Sequence, residues 1–309
     1  MRKVHERNVM SDSKAAEKWK VMAPWKDRKT IVFMSDFGTN DGAVSAMRGV
    51  ASSVSGELKL ENLTHEIPQF NIWEASYRLI QTITYWPAGT VFVCVIDPGV
   101  GSERESVAVL TKSGHIIVTP DNGTLSHVQK EIGILERRRI SETENRLKDS
   151  QRSYTFYGRD VYAYTGARLA AGLVDFQDVG PLLDPKPVML RVDNPIIRGN
   201  DIEGTIEILD TRYGSLWTNI PDTLFFSQGM NYGDDIRVLI SCDKRIVYGY
   251  TMKACRNFSE VALGQPLLYI NSLLKVSIAL NQGSFAEAYS IGTGEHWHIR
   301  ISKEIRQKD

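Results

Sequence analysis

Residues Thr90 to Ile96 form an unbroken run of β-branched and apolar side chains, and Asp97-Pro98-Gly99-Val100-Gly101-Ser102-Glu103-Arg104 follows at once. A strand that is apolar at every position, rather than at alternate ones, suits the middle of a parallel sheet covered on both faces. Gly and Pro end the strand and let backbone approach a ligand closely. The run therefore places a carboxylate at a strand's carboxyl end, where open α/β sheets bind ligands, and a guanidinium arrives seven positions later. Taken alone, the stretch is equally a surface turn with an incidental ion pair.

The preceding chain supports a parallel sheet. Thr30 to Met34 is rich in β-formers and leads into Ser35-Asp36-Phe37-Gly38. Ala43, Val44, Met47, Val50, Ala51 and Val54 then recur at helical spacing, Leu58 to Leu63 reads as a strand, and helical period returns from Ile72 to Ile83. Alternation of strand and helix predicts an α/β domain with a mainly parallel sheet. Past Arg104, strands are expected at Ser106 to Leu110 and His115 to Thr119. A helix is expected from Leu125, a polar surface loop at Ser141 to Ser153, and a small-residue helix at Val161 to Ala171. Pro181, Pro185, Pro187 and Pro195 then punctuate a linker, and helical period is lost. Short strands at Gly204 to Asp210, Asp235 to Ser241, Arg245 to Met252, Pro266 to Asn271, Lys275 to Leu280 and Trp297 to Ile301 predict a smaller antiparallel β-barrel-like or sandwich domain. The expected division is an α/β domain over 30–185 and a barrel-like domain over 195–309. Residues 1–29 precede them as a flexible basic extension, with nine Lys or Arg against four Asp or Glu.

The whole chain has 37 acids and 37 Lys or Arg, which gives no electrostatic case for nucleic acid or an anionic membrane. No apolar run is long enough to span a bilayer. Cys94, Cys242 and Cys255 lack CxxC spacing and read as reduced core thiols of a cytoplasmic protein.

Several local patterns have two readings. Asp36, at a strand end, can accept both hydroxyls of a vicinal diol or cap the next helix. Gly99-Val100-Gly101 is a poor phosphate loop, because a strand follows it rather than a helix. His296 and His298 lack a third metal ligand. No GxSxG motif accompanies His65 or His127, so a serine hydrolase is unsupported. Asp210 to Asn219 is rich in polar and aromatic side chains, which suits either a hairpin or a polar ligand.

Taken in order, Ser-Asp-Phe-Gly at Ser35, Val-Ile-Asp-Pro-Gly-Val-Gly-Ser-Glu-Arg at Val95, Pro-Asp-Asn-Gly at Pro120, Thr-Phe-Tyr-Gly-Arg-Asp at Thr155 and Trp-Thr-Asn at Trp217 resemble one family. It is the S-adenosyl-L-methionine hydroxide adenosyltransferases, adenosine-forming hydrolases homologous to the fluorinase and chlorinase. The resemblance runs from Ile31 to Ile301. It implies an α/β domain, a β-barrel-like domain, and a homotrimer with substrate between neighbouring subunits. It also implies no cofactor and no metal.

By this resemblance Asp97 and Arg104 would flank the attacking water. Tyr157 stands where the hydrolases have histidine, a replacement also found in the fluorinase. Asp36 would hold the ribose hydroxyls and Phe70 would line the ribose or adenine. Asp210 would receive the methionine ammonium and Ser272 would help bind its carboxylate. Asn194, Ser215, Phe258 and Asn281 would support the adenine. Leu273 and Ala43 lack the arginine and the hydroxyl of the fluorinase, which also has tyrosine in place of Asp97 and serine in place of Gly158. The implied activity is hydrolysis of S-adenosyl-L-methionine to adenosine and L-methionine. The alternatives are a chlorinase making 5′-chloro-5′-deoxyadenosine and a non-catalytic nucleoside-binding protein.

Overall fold

A computed structural model describes residues 29–304, arranged as two compact units that divide between Met189 and Leu190. The expected basic extension lies outside the described residues but for Lys29, whose ammonium pairs with Glu57.

The first unit is built on a seven-stranded sheet. In chain order it runs β1 (Thr30–Ser35), α1 (Ala43–Val54), β2 (Lys59–Thr64), α2 (Ile72–Ile83), β3 (Val91–Val95), β4 (Ser106–Thr111), β5 (Ile116–Pro120), α3 (Ser126–Glu131) and β6 (Ile134–Arg139). A π-helical turn (Gly158–Ala163) then continues into α4 (Tyr164–Ala170), and the short strand β7 (Leu182–Leu183) follows. The sheet order is β2-β1-β3-β5-β4-β6-β7. Strands β2, β1, β3 and β5 are parallel, whereas β4, β6 and β7 join antiparallel. The sheet is mainly parallel on one side only, because the short β4–β5 connection can join only antiparallel neighbours, and β6 returns past α3 to the far side of β4.

The continuous apolar character of β1 and β3 follows from burial on both faces. Ile31, Phe33, Val91, Val93 and Val95 pack in one core with Met47 and Ala51 of α1 and Ala167 of α4. Val32, Met34, Phe92, Cys94 and Ile96 point the other way, into a core with Ala75, Leu79 and Ile83 of α2. Strand β6 escaped the sequence reading because Glu136, Arg137, Arg138 and Arg139 look like solvated surface. Their side chains are instead paired: Arg137 with Asp121, Arg138 with Glu136 and Arg139 with Glu105. The segment from Ser141 to Ser153 is also not simply surface. Asn145 is fully buried, donating to the Val179 carbonyl at 2.9 Å, and Arg146 is almost completely buried.

Among the described residues of this unit three imidazoles are buried, those of His65, His115 and His127, and two of them are shifted furthest. His65 bonds to Ser35 and Asn62, and His127 bonds to Ser76. Burial, helped by Arg48 and Lys130 respectively, lowers each pKa to about 4. The unfolded chain binds these protons near pH 6.5, so the stabilisation is complete above 6.5 and is lost as pH falls towards 4. Thermal scans over that window should show Tm falling as pH drops, with a loss of several kcal/mol at most for the two groups together, and His127→Gln should flatten part of it.

The second unit contains β8 (Ile196–Arg198), β9 (Asp201–Leu209), β10 (Leu216–Pro221), α5 (Asp222–Ser227), β11 (Asp235–Cys242) and β12 (Arg245–Ala254). It continues with β13 (Pro266–Ile270), β14 (Lys275–Leu280), α6 (Phe285–Tyr289) and β15 (Trp297–Lys303). Seven strands in the order β10-β14-β13-β12-β11-β15-β9 close into a barrel through the β9–β10 pairing, and β8 extends β9. Closure decides between barrel and sandwich and removes the free edges. One correction concerns strand direction, since β12 and β13 run parallel while the other pairs are antiparallel. Another concerns β10, because Leu216 to Asn219 belongs to a strand rather than to the preceding turn. Short helices α5 and α6 were also missed, being too brief to show a period.

Candidate active site

The two units each carry a cavity, and the sequence-predicted residues divide between them. In the first unit a cleft of about 340 Å³ opens at the carboxyl ends of β1 and β3. Asp36, Phe70, Asp97 and Tyr157 line it together with Phe37, Asp41, Ala43, Val95, Phe156 and Gly158. Asp36 follows β1 directly, and one of its oxygens accepts the Phe70 N–H at 2.9 Å. Phe70 has a positive φ of 65°, a conformation rare for a residue with a side chain, and its ring is exposed. Strained backbone of this kind clusters at ligand-binding sites. The loop from Asp36 to Gly38 is anchored by Gly38 N–H, which donates to the His65 carbonyl at 2.8 Å.

Asp97 lines the cleft's floor, and Arg104, not itself among the lining residues, pairs with it. Arg104 Nε donates to Asp97 Oδ1 at 2.6 Å and Nη2 donates to Asp97 Oδ2, a bidentate arrangement. Both side chains are largely buried, with 6% of Asp97 and 11% of Arg104 exposed, so this is not the solvated surface pair that the local sequence also allowed. A third guanidinium donor, Nη1, reaches Ser106 Oγ at 3.0 Å. Burial disfavours the charge on Arg104, but its bond to Asp97 and the fields of Tyr162, Asp97 and Tyr157 outweigh that, so its pKa lies above the ordinary arginine value.

Two residues that support this pair were not anticipated. Ser106 Oγ lies 3.0 Å from the Tyr162 hydroxyl, which in turn donates to Asp97 Oδ2 at 3.5 Å. Tyr162 is fully buried, and burial first, then Asp97, pushes its phenol pKa well up, so it acts as a neutral donor. The π-helical turn explains how it gets there. In such a turn residues five apart fall on the same side, and Tyr157 and Tyr162 meet with ring centroids 6.4 Å apart. The Arg104 guanidinium carbon sits 5.3 Å from the Tyr157 ring centre and 5.7 Å from that of Tyr162. No spacing rule for regular helices would have paired these two tyrosines.

Tyr157 is held from its other neighbours by Arg146, whose guanidinium carbon is 5.1 Å from the ring centre and whose side chain hydrogen-bonds with Tyr157. Arg146 is itself fixed by Glu142 at 2.6 Å and Ser150 Oγ at 3.1 Å. The charged, loop-like composition around it concealed this role. A Cβ at Gly158 would lie 3.2 Å from Met47 Sδ, Phe37 Cε2 and Val95 Cγ1, so any side chain there makes those neighbours give by a few tenths of an ångström.

The second unit carries a larger cavity of about 970 Å³. Asp210, Ser215, Phe258, Ser272 and Asn281 line it, as do Arg212, Arg256, Tyr269 and Asn271. Asp210 Oδ1 accepts the N–H groups of Arg212 at 3.2 Å and Tyr213 at 3.4 Å, and the Phe258 and Tyr269 rings meet at 5.1 Å. Asn194 does not join this set. It is exposed on the segment before β8 and is not among the residues lining the cavity.

Residues 31–180 match the SAM hydroxide adenosyltransferase N-terminal domain, and residues 204–298 match the C-terminal domain of the same family. The chain belongs to the SAM hydroxide adenosyltransferase family. It is 39% identical over 194 residues to (R)-S-adenosyl-L-methionine hydrolase of Methanocaldococcus jannaschii, a match covering 62% of this chain and 66% of that protein. It is 27% identical over 302 residues to a fluorinase of Actinopolyspora mzabensis, covering 89% and 98% of the two chains. Among solved structures, an uncharacterized conserved protein from Thermotoga maritima superposes with a TM-score of 0.80 at 30% identity, covering 88% of this chain and 99% of that one. The family match extends across both units.

Proposed function

We propose that this protein hydrolyses S-adenosyl-L-methionine to adenosine and L-methionine. The observation that carries the proposal is the buried Asp97–Arg104 pair past the end of β3, whose carboxylate residue lines the cleft. Water attacks the ribose 5′ carbon, the carbon–sulfur bond breaks, and its electron pair stays on the sulfur as methionine leaves neutral at that atom. The proton from water passes to Asp97 and then to solvent, while Arg104 stabilises the forming hydroxide. An anionic nucleophile and a sulfonium cation lose charge as they combine, so a poorly solvated cleft favours the step. Tyr157 stacks on Arg104 and orients it. Asp36 receives the ribose hydroxyls beside Phe70.

Asp210 takes the ammonium of methionine, Ser272 its carboxylate, and Ser215, Phe258 and Asn281 the adenine side; Asn194 has the weakest support. Leu273 offers no cation for the carboxylate, but Arg212 and Arg256 line the same cavity. The homotrimer implied by the family resemblance is part of this reading, and light scattering that found an active monomer would overturn that part.

The test is chromatographic. Purified protein with substrate alone should release adenosine and methionine, and in oxygen-18 water the label should enter the 5′ hydroxyl. Absence of adenosine would sink the proposal. The halogenase reading is less well supported, because a carboxylate at Asp97 repels halide; added chloride should yield no 5′-chloro-5′-deoxyadenosine. The neutral thioether leaves without protonation, so the proposed chemistry draws on no metal or cofactor. Dialysis against a chelator should leave kcat unchanged, and a loss restored by a divalent cation would contradict this.

A further inference from the structure

The Pro120-Asp121-Asn122-Gly123 turn has no part in the chemistry described so far, yet it lies between the two segments that carry the pair. Asp97 follows β3 and Arg104 precedes β4, and β5 lies between those strands in the sheet. The ladder between β3 and β5 pairs Val91, Phe92 and Val93 with Ile116, Ile117 and Val118. Beyond Val93–Val118 the ladder stops, and the Asn122 N–H turns back to the Pro120 carbonyl at 3.2 Å instead of continuing it. The carbonyl of Ile96, a fully buried residue next to Asp97, therefore needs a donor from elsewhere.

Asn122 supplies it. Its Nδ2 donates to the Ile96 carbonyl at 2.8 Å across 26 residues of sequence. Its Oδ1 accepts from the Thr124 hydroxyl at 2.8 Å and from the Thr124 N–H at 3.3 Å, which fixes which way the amide points. Thr124 is fully buried, so this anchor is rigid. One residue earlier, Asp121 N–H donates at 2.9 Å to the carbonyl of Glu105, the neighbour of Arg104. The Asp121 carboxylate is held in turn by Arg137 and by Val188 N–H at 2.9 Å. The turn thus stitches the residue before Asp97 to the residue after Arg104.

We propose that Asn122 is a positioning residue for the Asp97–Arg104 pair, its side-chain amide standing in for the ladder donor that the backbone no longer supplies past the end of β5. Asn suits the place because it must donate in one direction and accept in the other; Asp and Leu each lose the donor. The inference rests on the hydrolase reading, so wild-type turnover is measured first and in parallel. Adenosine release by the wild type is the condition that separates the two claims.

Asn122→Ala should lower kcat by about tenfold at a temperature well below unfolding while KM changes less than twofold, because a misplaced pair affects attack more than binding. Thr124→Val, which frees the amide without removing it, should lower kcat in the same direction by a smaller factor, and it carries the test if the alanine variant does not fold. A second readout separates positioning from bulk stability. Ser106→Ala loosens Arg104 from its other side. Combined with Asn122→Ala, it should lower kcat by less than the product of the single effects, because both disturb the same pair. Unchanged kcat in the folded variants, a loss confined to KM, or strictly multiplicative effects would overturn the proposal.

Discussion

Asp97→Ala should lower kcat for S-adenosyl-L-methionine hydrolysis by about a thousandfold while leaving substrate affinity within a few fold, measured by adenosine release and by calorimetry. The proposed base is lost, whereas Asp36, Phe70 and the cavity of the second unit are untouched. The variant also leaves the Arg104 guanidinium without its carboxylate in a site where only 11% of that side chain is exposed. Removing one partner of a buried pair costs roughly 3–5 kcal/mol, so a lower Tm should accompany the loss. Asp97→Asn keeps the shape and relieves part of that cost. It should therefore recover stability more than activity, because an amide cannot take the proton. An alanine variant with wild-type turnover would remove Asp97 from the mechanism.

Gly166→Val should be among the most damaging single substitutions to the fold. Gly166 lies in α4, where that helix crosses the sheet, and a Cβ at this position would approach Val93 Cγ2 to 2.4 Å and Ile31 Cδ1 to 3.4 Å. Valine in place of glycine improves backbone entropy by less than about 1 kcal/mol in a helix. Overpacking a core of this density costs about 3 kcal/mol, so the clash wins. The expected result is a clearly lower urea midpoint with an unchanged m-value. Because α4 continues from the π-helical turn that carries Tyr162, kcat should fall as well. A variant as stable as wild type would show that α4 can lift from the sheet without cost.

The alternation of strand and helix over Thr30 to Ile96 was legible because burial on both faces of β1 and β3 leaves a local mark, namely apolar residues at every position. The inward face of helix α2 was legible, since its buried residues repeat at helical period, although the helix stops at Ile83 and not at the Pro87-Ala88-Gly89 signal. Strand β6 was hidden because its arginines are neutralised by distant partners: Asp121 is 16 positions from Arg137, and Glu105 is 34 from Arg139. Composition registers the charge but not the partner. The same blindness applied to Arg146, which reads as part of a solvated loop and is in fact a buried clasp on Tyr157.

The site divides along the same line. Asp36 and Asp97 stood out in the sequence because each follows an apolar strand just ahead of a Gly-containing turn, and Arg104 because that turn can bring it back to Asp97; the family resemblance supplied the roles proposed for all three. Whether Asp97 and Arg104 meet, and whether their contact is buried, required the tertiary structure, since seven residues of turn can fold either towards or away from the cleft. Ser106, Tyr162 and Asn122 join them only through packing: the π-helical turn swings Tyr162 beneath the pair, and the sheet order β3-β5-β4 brings Asn122 between its two segments. Local sequence determines where strands end and which side chains stand there. Only the folded sheet decides which of those ends are neighbours, because hydrogen-bonded order depends on long-range pairing that no local period encodes.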